Sequence, residues 1–122
     1  MAKSILIVDD DALNRELLQT VLKRAGYTVL QANSGKSAIS LVETEIPNLI
    51  LLDVRMVGMS GYEVCKHLKS NPQTKAIPVI MLTAYDEKSG EREHAEEAGA
   101  DDFFPKMRGW QVLIEHIQKL IN

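Results

Sequence analysis

Residues 5–11 of the chain read Ile-Leu-Ile-Val-Asp-Asp-Asp, a short apolar run that ends in three carboxylates. Three of the four apolar residues are β-branched, and a continuous apolar run of this length is typical of a strand covered on both faces. Such strands occur almost only in parallel sheets that have helices packed on each side. The stretch therefore predicts an α/β protein built on a buried parallel sheet.

The rest of the chain repeats this unit, with an apolar run followed each time by a helical segment. The first helix follows its N-cap Asp11, carries leucine or valine at positions 13, 17, 18, 21 and 22, and ends at Gly26. The predicted strands are residues 5–8, 27–30, 49–52, 79–82 and 103–104, and the later helices are residues 34–45, 61–70, 87–98 and 110–121. Five such units predict a doubly wound parallel sheet, in which a ligand site lies beyond the carboxyl ends of the strands.

Length, charge and cysteine content narrow the classes of function. The 122 residues favour a single domain over 1–122. A net charge of −3 gives no support to direct nucleic-acid or membrane binding. One cysteine excludes an internal disulfide, and the first apolar run is too short for a signal peptide or a membrane span. We therefore expect a cytoplasmic protein.

The residues that end the predicted strands form a chemically consistent set. Asp9 and Asp10 follow the first strand, Asp53 the third, Thr83 the fourth and Lys106 the fifth. Because neighbouring strands lie about 4.8 Å apart, side chains at these ends can reach a single ion. Three carboxylates repel one another unless a cation joins them, and Mg²⁺ prefers carboxylate, water and phosphate oxygens. Together with one Mg²⁺ and one lysine their charges sum to zero, which predicts a site for phosphoryl chemistry.

Each of these residues has a simpler explanation when it is taken alone. Acidic residues after a strand are more often an N-cap and a solvated turn, Thr83 can be a helix cap, and Lys106 can be a solvated strand end. The conjunction favours a functional site, because four of the five predicted strands end in residue types that one phosphoryl site requires.

Four segments resemble the motifs of response regulator receiver domains: ILIVDDD (5–11), LILLDVRMVGMSGYE (49–63), VIMLTAYD (79–86) and GADDFFPK (99–106). They occur in the family's order and spacing over essentially the whole chain. The resemblance implies a flavodoxin-like α/β fold with five parallel strands in the order 2-1-3-4-5 and five helices. It also implies a stand-alone receiver domain with no output domain.

The resemblance further implies how the acidic residues work. Asp53 would accept a phosphoryl group from a histidine kinase or a histidine phosphotransfer protein. Asp9 and Asp10 would hold Mg²⁺ together with Asp53 and the backbone carbonyl of Arg55. A carboxylate nucleophile forms an acyl phosphate, which is one of the covalent routes open to this side chain.

The resemblance also implies a conformational switch. Thr83 would hydrogen-bond the phosphoryl group and Lys106 would pair with it, while Phe103 lies where the family has its aromatic switch residue. Movement of Thr83 toward the phosphoryl group would leave space for the Phe103 ring, and this bistable element would change the face formed by the fourth helix, the fifth strand and the fifth helix. An unknown downstream protein would bind there, and homodimerisation stays open.

The chain departs from the family pattern directly after this lysine. The family has Lys-Pro with a cis bond, whereas this chain has Lys106–Met107. A cis bond before a residue other than proline costs about 2.5–4 kcal/mol. We therefore predict a trans bond and a different approach of the lysine to the site.

Three functions compete on these grounds. The leading one is a phosphoacceptor that catalyses only its own phosphorylation and dephosphorylation and turns over no external substrate. Met107 leaves open a degenerate receiver that binds partners without phosphorylation. A phosphatase of the haloacid dehalogenase type is the third, since "IVDDD" superficially resembles its Asp-x-Asp motif, but that family needs a cap and a longer chain. An acidic turn without a glycine-rich cradle argues against dinucleotide or flavin binding.

Overall fold

The computed structural model describes residues 2–84 and 90–122 and has a five-stranded parallel sheet between two layers of helices. The strands are β1 (Ser4–Val8), β2 (Thr28–Ala32), β3 (Leu49–Asp53), β4 (Val79–Thr83) and β5 (Asp102–Pro105). The helices are α1 (Ala12–Arg24), α2 (Gly35–Thr44), α3 (Gly61–Ser70), α4 (Glu91–Glu97) and α5 (Trp110–Ile121), and a 3₁₀ turn covers Lys106–Arg108. Among these described helices, none has both the length and the hydropathy of a transmembrane span.

The strand order is 2-1-3-4-5 with parallel pairing throughout, so the predicted fold is confirmed. The predicted third and fifth helices have the observed bounds, and the second differs only by its two capping residues, Ser34 and Glu45. The predicted start of the fourth helix, at residue 87, lies outside the described residues.

Alternate side chains of each strand enter two separate halves of the core. Ile5 and Ile7 of β1 pack with buried residues of α1 and α5, whereas Leu6 and Val8 pack with buried residues of α2, α3 and α4. This alternation follows from the two-residue period of a strand. Both faces of the sheet are therefore covered, as the continuous apolar runs indicate, and polar side chains at the strand ends are confined to the sheet edges.

Only part of the apolar pattern of α1 faces the core. Leu18 and Leu22 are fully buried, whereas Leu13 is 75% exposed and Leu17 is 48% exposed. Leu13 lies about 140° around the helix from Leu18, at about 100° per residue. The pattern predicts the helix correctly but does not by itself identify which leucines are buried.

A lysine links several elements at the amino-terminal edge of the sheet, which is opposite the carboxyl ends of the strands. At the end of α3, Lys69 Nζ donates to Asp101 Oδ2 at 2.7 Å and to the carbonyls of Ile77 at 2.8 Å and Lys75 at 3.2 Å. Asp101 Oδ2 also accepts a hydrogen bond from the backbone N–H of Val79 at 2.8 Å. One ammonium group thus ties α3 and the segment before β4 to the residue that precedes β5.

Replacement of this lysine is expected to destabilise the protein. Lys69→Met keeps most of the aliphatic chain but removes three hydrogen bonds from a side chain that is only 16% exposed. Because hydrogen bonds to charged groups contribute about 1.5–3 kcal/mol each and part of the loss is regained as solvation, we expect the free energy of unfolding to fall by about 2 kcal/mol. Urea denaturation measures this change. Lys66→Met, an exposed position on the same helix, should stay within about 0.5 kcal/mol of wild type, and equal losses in the two variants would contradict the prediction.

Candidate functional site

The carboxylates predicted at the strand ends lie together at the carboxyl edge of the sheet. Val8 of β1 is in register with Leu52 of β3, so the residues that follow Val8 lie beside Asp53. Asp9, Asp10 and Asp53 each offer a carboxylate oxygen, and these oxygens all lie within 4.8 Å of one another. Such a distance is short enough for one cation to contact all three side chains.

Asp9 is held in place by its backbone and by one of its two carboxylate oxygens. Its N–H donates to the Ala32 carbonyl at 3.2 Å, its Oδ1 accepts from the Asp11 N–H at 2.9 Å, and its carbonyl accepts from Arg15 Nη1 at 2.7 Å. The residue is 1% exposed, and no described residue donates a hydrogen bond to its buried Oδ2. A buried anionic oxygen in this condition is costly and is a natural ligand for a cation.

Asp10 connects the end of β1 to the loop that follows β3. The side chain is exposed, and its Oδ2 accepts a hydrogen bond from the Val57 N–H at 3.0 Å. This contact links the loop between β3 and α3 to the acidic cluster. Arg55, proposed from the resemblance as a carbonyl ligand, lies in the same loop two residues after Asp53 and has an exposed side chain.

Lys106 brings a positive charge to the cluster from the edge strand. It begins the 3₁₀ turn after β5, and its Nζ lies 3.4 Å from Asp53 Oδ1 and 3.7 Å from Asp9 Oδ2. The Lys106–Met107 bond is trans, as predicted. The lysine therefore reaches both carboxylates without the cis bond that the family usually has at this point.

Burial and neighbouring charges together set the ionisation of Asp53. The pKa of its carboxyl group is raised to about 6, mainly by desolvation; the nearby Lys106 opposes this rise, and the carboxylates of Asp9 and Asp10 add to it. The group is therefore mostly ionised at neutral pH, although its carboxylate is more basic than that of an ordinary aspartate.

Gly61 allows α3 to begin directly against the site. A Cβ atom at this position would lie 2.2 Å from the carbonyl oxygen of Asp53, a distance that only glycine avoids. The Gly61 N–H also donates to the Val54 carbonyl at 2.9 Å. The sequence pattern indicates only that Gly61 begins a helix, because its close approach to Asp53 joins residues that are eight positions apart.

The two residues proposed as a switch lie on neighbouring strands. Thr83, which is 1% exposed, ends β4 in register with Pro105, and Phe103 lies two residues before Pro105 on the same face of β5. The Phe103 ring is 2% exposed and packs in the core half that contains α2, α3 and α4. The guanidinium carbon of Arg92 on α4 lies 5.2 Å from the centre of this ring. The ring is thus already buried and directly contacts α4.

The chain is similar to response regulators and their receiver domains both in sequence and in structure. The family model described as the response regulator receiver domain matches residues 5–118. Response regulator PleD of Caulobacter vibrioides is 42% identical over 120 residues, which cover 98% of this chain and 26% of PleD. The chain spans about a quarter to a half of the length of the curated relatives it matches.

Two solved structures illustrate the structural likeness. The structure described as a putative response regulator from Chloroflexus aurantiacus has a TM-score of 0.93 at 34% identity, over 99% of this chain and 98% of that one. The receiver domain of the sensor histidine kinase PA1611 from Pseudomonas aeruginosa has a TM-score of 0.90 at 27% identity, over 99% and 98% of the two chains. That structure is described with a magnesium ion coordinated in its active-site cleft.

The raised pKa of Asp53 predicts a pH-dependent effect on stability. Because the folded protein holds the proton of this group more tightly than the unfolded chain does, the group lowers stability as the pH rises from 3.8, the ordinary pKa of an aspartate, through about 6, the pKa in the folded protein. Without divalent cations, the free energy of unfolding of Asp53→Asn should therefore exceed that of wild type by roughly 1–3 kcal/mol near pH 7.5, with allowance for solvent screening. Near pH 4 the difference should be much smaller.

Urea denaturation across this pH range, in the presence of a chelator, measures the difference. Glu43→Gln, an exposed change on α2, serves as the control and should give a small difference that does not vary with pH. A gain for Asp53→Asn that stays constant or shrinks as the pH rises would contradict the prediction.

Proposed function

The chain belongs to the response regulator receiver domain family, and we propose that it accepts a phosphoryl group on Asp53 from a phosphohistidine of a histidine kinase or a phosphotransfer protein. The observation that carries this proposal is the position of the Asp53 carboxylate, within 4.8 Å of two other carboxylates and 3.4 Å from the Lys106 ammonium. A nucleophile, a cation site and a compensating positive charge therefore meet at one point.

Asp53 is the proposed nucleophile. One of its carboxylate oxygens attacks the phosphorus atom, a new O–P bond forms, and the P–N bond to the donor imidazole breaks as the nitrogen leaves with the electron pair. The pKa of about 6 favours this role, since the carboxylate is predominantly ionised at neutral pH and is more basic than a solvated one. Hydrolysis removes the phosphoryl group: a water oxygen bonds to phosphorus and gives up a proton to the solvent, and the Asp53 oxygen leaves with the electron pair of the broken O–P bond.

Asp9, Asp10 and Asp53 fit the requirements of Mg²⁺. They supply hard carboxylate oxygens within 4.8 Å of one another, and the buried Oδ2 of Asp9 receives no hydrogen bond from the described residues. The backbone carbonyl of Arg55 is the further proposed ligand. When bound, the ion offsets the negative charge of the phosphoryl oxygens. The magnesium ion in the PA1611 receiver domain supports this assignment.

Lys106 and Thr83 are the proposed partners of the transferred group. Lys106 Nζ already lies between Asp53 and Asp9, at 3.4 Å and 3.7 Å, so a phosphoryl group on Asp53 presents its oxygens to this ammonium. The Thr83 hydroxyl, at the end of β4, is the proposed hydrogen-bond donor to the same oxygens. These contacts with a group carrying about −1.5 to −2 charge are charge-assisted and available only after phosphorylation.

The outer face made by α4, β5 and α5 is the proposed output surface for a downstream protein. Phe103 lies on β5 two residues before Pro105, the register partner of Thr83, and its ring is covered by Arg92 of α4. On α5, His116 Nδ1 lies 2.5 Å from Asp102 Oδ2, and its ring packs edge-on against Phe104. Signalling would therefore change contacts on this face without turnover of an external substrate.

A cytoplasmic location is proposed because Cys65, the single thiol, is fully buried and free.

Phosphorylation by a small-molecule donor tests the proposal directly. Incubation with acetyl phosphate and Mg²⁺ should add the mass of one phosphoryl group, which intact-protein mass spectrometry detects. Asp53→Asn and wild type in excess chelator should gain no mass, because one lacks the nucleophile and the other lacks the cation. Asp11→Asn is the matched control, since Asp11 caps α1, lies outside the acidic cluster, and can be replaced as a cap by asparagine.

The degenerate receiver is the competing function for this experiment. It predicts no mass gain in wild type, or a gain that persists in Asp53→Asn. The haloacid dehalogenase alternative predicts turnover of a generic phosphate ester, which the receiver function excludes.

The proposed switch makes a second prediction, about Phe103. Phe103→Leu keeps an apolar side chain but removes the aromatic face that Arg92 covers, so α4 loses its cation–π contact with β5. We expect phosphorylation of Asp53 to proceed to a similar extent, while the phosphorylation-dependent change in hydrogen exchange at residues 91–97 is lost.

Phe104→Leu provides the contrast, because Phe104 is fully buried in the other half of the core, with α1 and α5. It should lower the free energy of unfolding by roughly 1–2 kcal/mol and retain the response of α4. An unchanged response in Phe103→Leu would exclude this ring as the connecting element.

A further inference from the structure

Arg15, near the start of α1, contacts the backbone of Asp9 and not its carboxylate. Its Nη1 donates to the backbone carbonyl of Asp9 at 2.7 Å, and its Nε donates to Oε1 of Gln31 on β2 at 3.1 Å. The Gln31 amide in turn donates to the side chain of Gln19. The guanidinium thus links the end of β1 to both α1 and β2. It is not itself a ligand of the proposed cation.

This contact completes the restraint of Asp9. The backbone N–H of Asp9 is held by Ala32, its Oδ1 by the N–H of Asp11, and its carbonyl by Arg15. Its Oδ2 remains directed into the site, 3.7 Å from Lys106 Nζ, and receives no hydrogen bond from the described residues. The peptide unit after Asp9 therefore has its orientation set by Arg15, and that peptide leads directly into Asp10.

We propose that Arg15 is a positioning residue of the cation site, which holds the Asp9–Asp10 turn so that both carboxylates meet the ion in one geometry. The inference rests on the proposed function, because it assumes that this acidic cluster binds Mg²⁺. Partners that orient ligand residues typically change metal affinity about 10–100-fold when they are removed.

The positive charge of Arg15 allows two roles to be distinguished, because they predict opposite changes in Mg²⁺ affinity when the charge is removed. Simple electrostatics predicts that removal of a nearby positive charge strengthens the attraction of three carboxylates for Mg²⁺. Positioning predicts the opposite, because the released turn must be ordered again when the ion binds. The direction of the change in affinity therefore distinguishes a positioning residue from a charge that merely lies close to the site.

The experiment is a MgCl₂ titration of the full chain followed by NMR, with the backbone amides of Val57 and Asp11 as reporters, since both donate hydrogen bonds to the acidic side chains. Arg15→Gln is expected to bind Mg²⁺ about tenfold more weakly than wild type. Arg15→Lys keeps the charge but loses the two-nitrogen contact, and should also bind more weakly. Arg24→Gln, an exposed arginine in the last turn of the same helix, removes the same charge and should bind as wild type does.

A second measurement separates positioning from general damage to the fold. The rate of labelling by acetyl phosphate in Arg15→Gln should approach the wild-type rate when Mg²⁺ is raised about tenfold, because the defect lies in binding; a damaged fold would not recover. If Arg15→Gln fails to fold, Gln31→Ala takes its place, because, of the hydrogen bonds that Arg15 donates, it removes only the one that Gln31 accepts from Nε. This variant should also bind Mg²⁺ more weakly than wild type.

The outcomes distinguish this inference from the function on which it rests. Wild type that binds Mg²⁺ together with an Arg15→Gln variant that binds equally or more tightly overturns the role of Arg15 alone. Wild type in which neither amide responds to Mg²⁺ overturns the proposed cation site and, with it, this inference.

Discussion

The crowding of three carboxylates at one largely buried edge of the sheet is the constraint on which the rest of the site depends. Their oxygens lie within 4.8 Å of one another, so their repulsion must be offset by the protein. Lys106 provides the opposing charge, and backbone N–H groups of the following turn and the opposite loop each engage one oxygen. The proposed cation site and nucleophile rest on what remains uncompensated, which is the buried Oδ2 of Asp9 and the raised pKa of Asp53.

Much of this arrangement follows from the sequence, because of how parallel sheets are built. A strand that is buried on both faces can carry polar side chains only where it ends, and parallel strands have all their carboxyl ends at one edge. The residues that follow the apolar runs, Asp9, Asp53, Thr83 and Lys106, are therefore predicted to lie near one another from the sequence alone. The trans bond after Lys106 is equally predictable, from the cost of a cis bond before methionine.

Other features depend on distances through space that no local pattern contains. The contact of Arg15 with the Asp9 carbonyl depends on how α1 is rotated, and the same rotation leaves Leu13 exposed although it belongs to the apolar pattern. The requirement for glycine at position 61 arises from a carbonyl eight residues earlier in the chain. Strand ends are a shared position and can be read from the sequence, whereas the rotation of each helix is set by packing of the whole core.

The lysine bridge between Lys69 and Asp101 lies at the amino-terminal edge, at the far end of the strands from the acidic cluster. The same strands thus carry the proposed functional site at one end and a hydrogen-bonded, stabilising cluster at the other end, separated by the length of the buried sheet. Substitutions at the two ends are expected to be nearly additive. Evolution or engineering could therefore adjust the robustness of this protein at one edge while leaving its chemistry at the other edge intact.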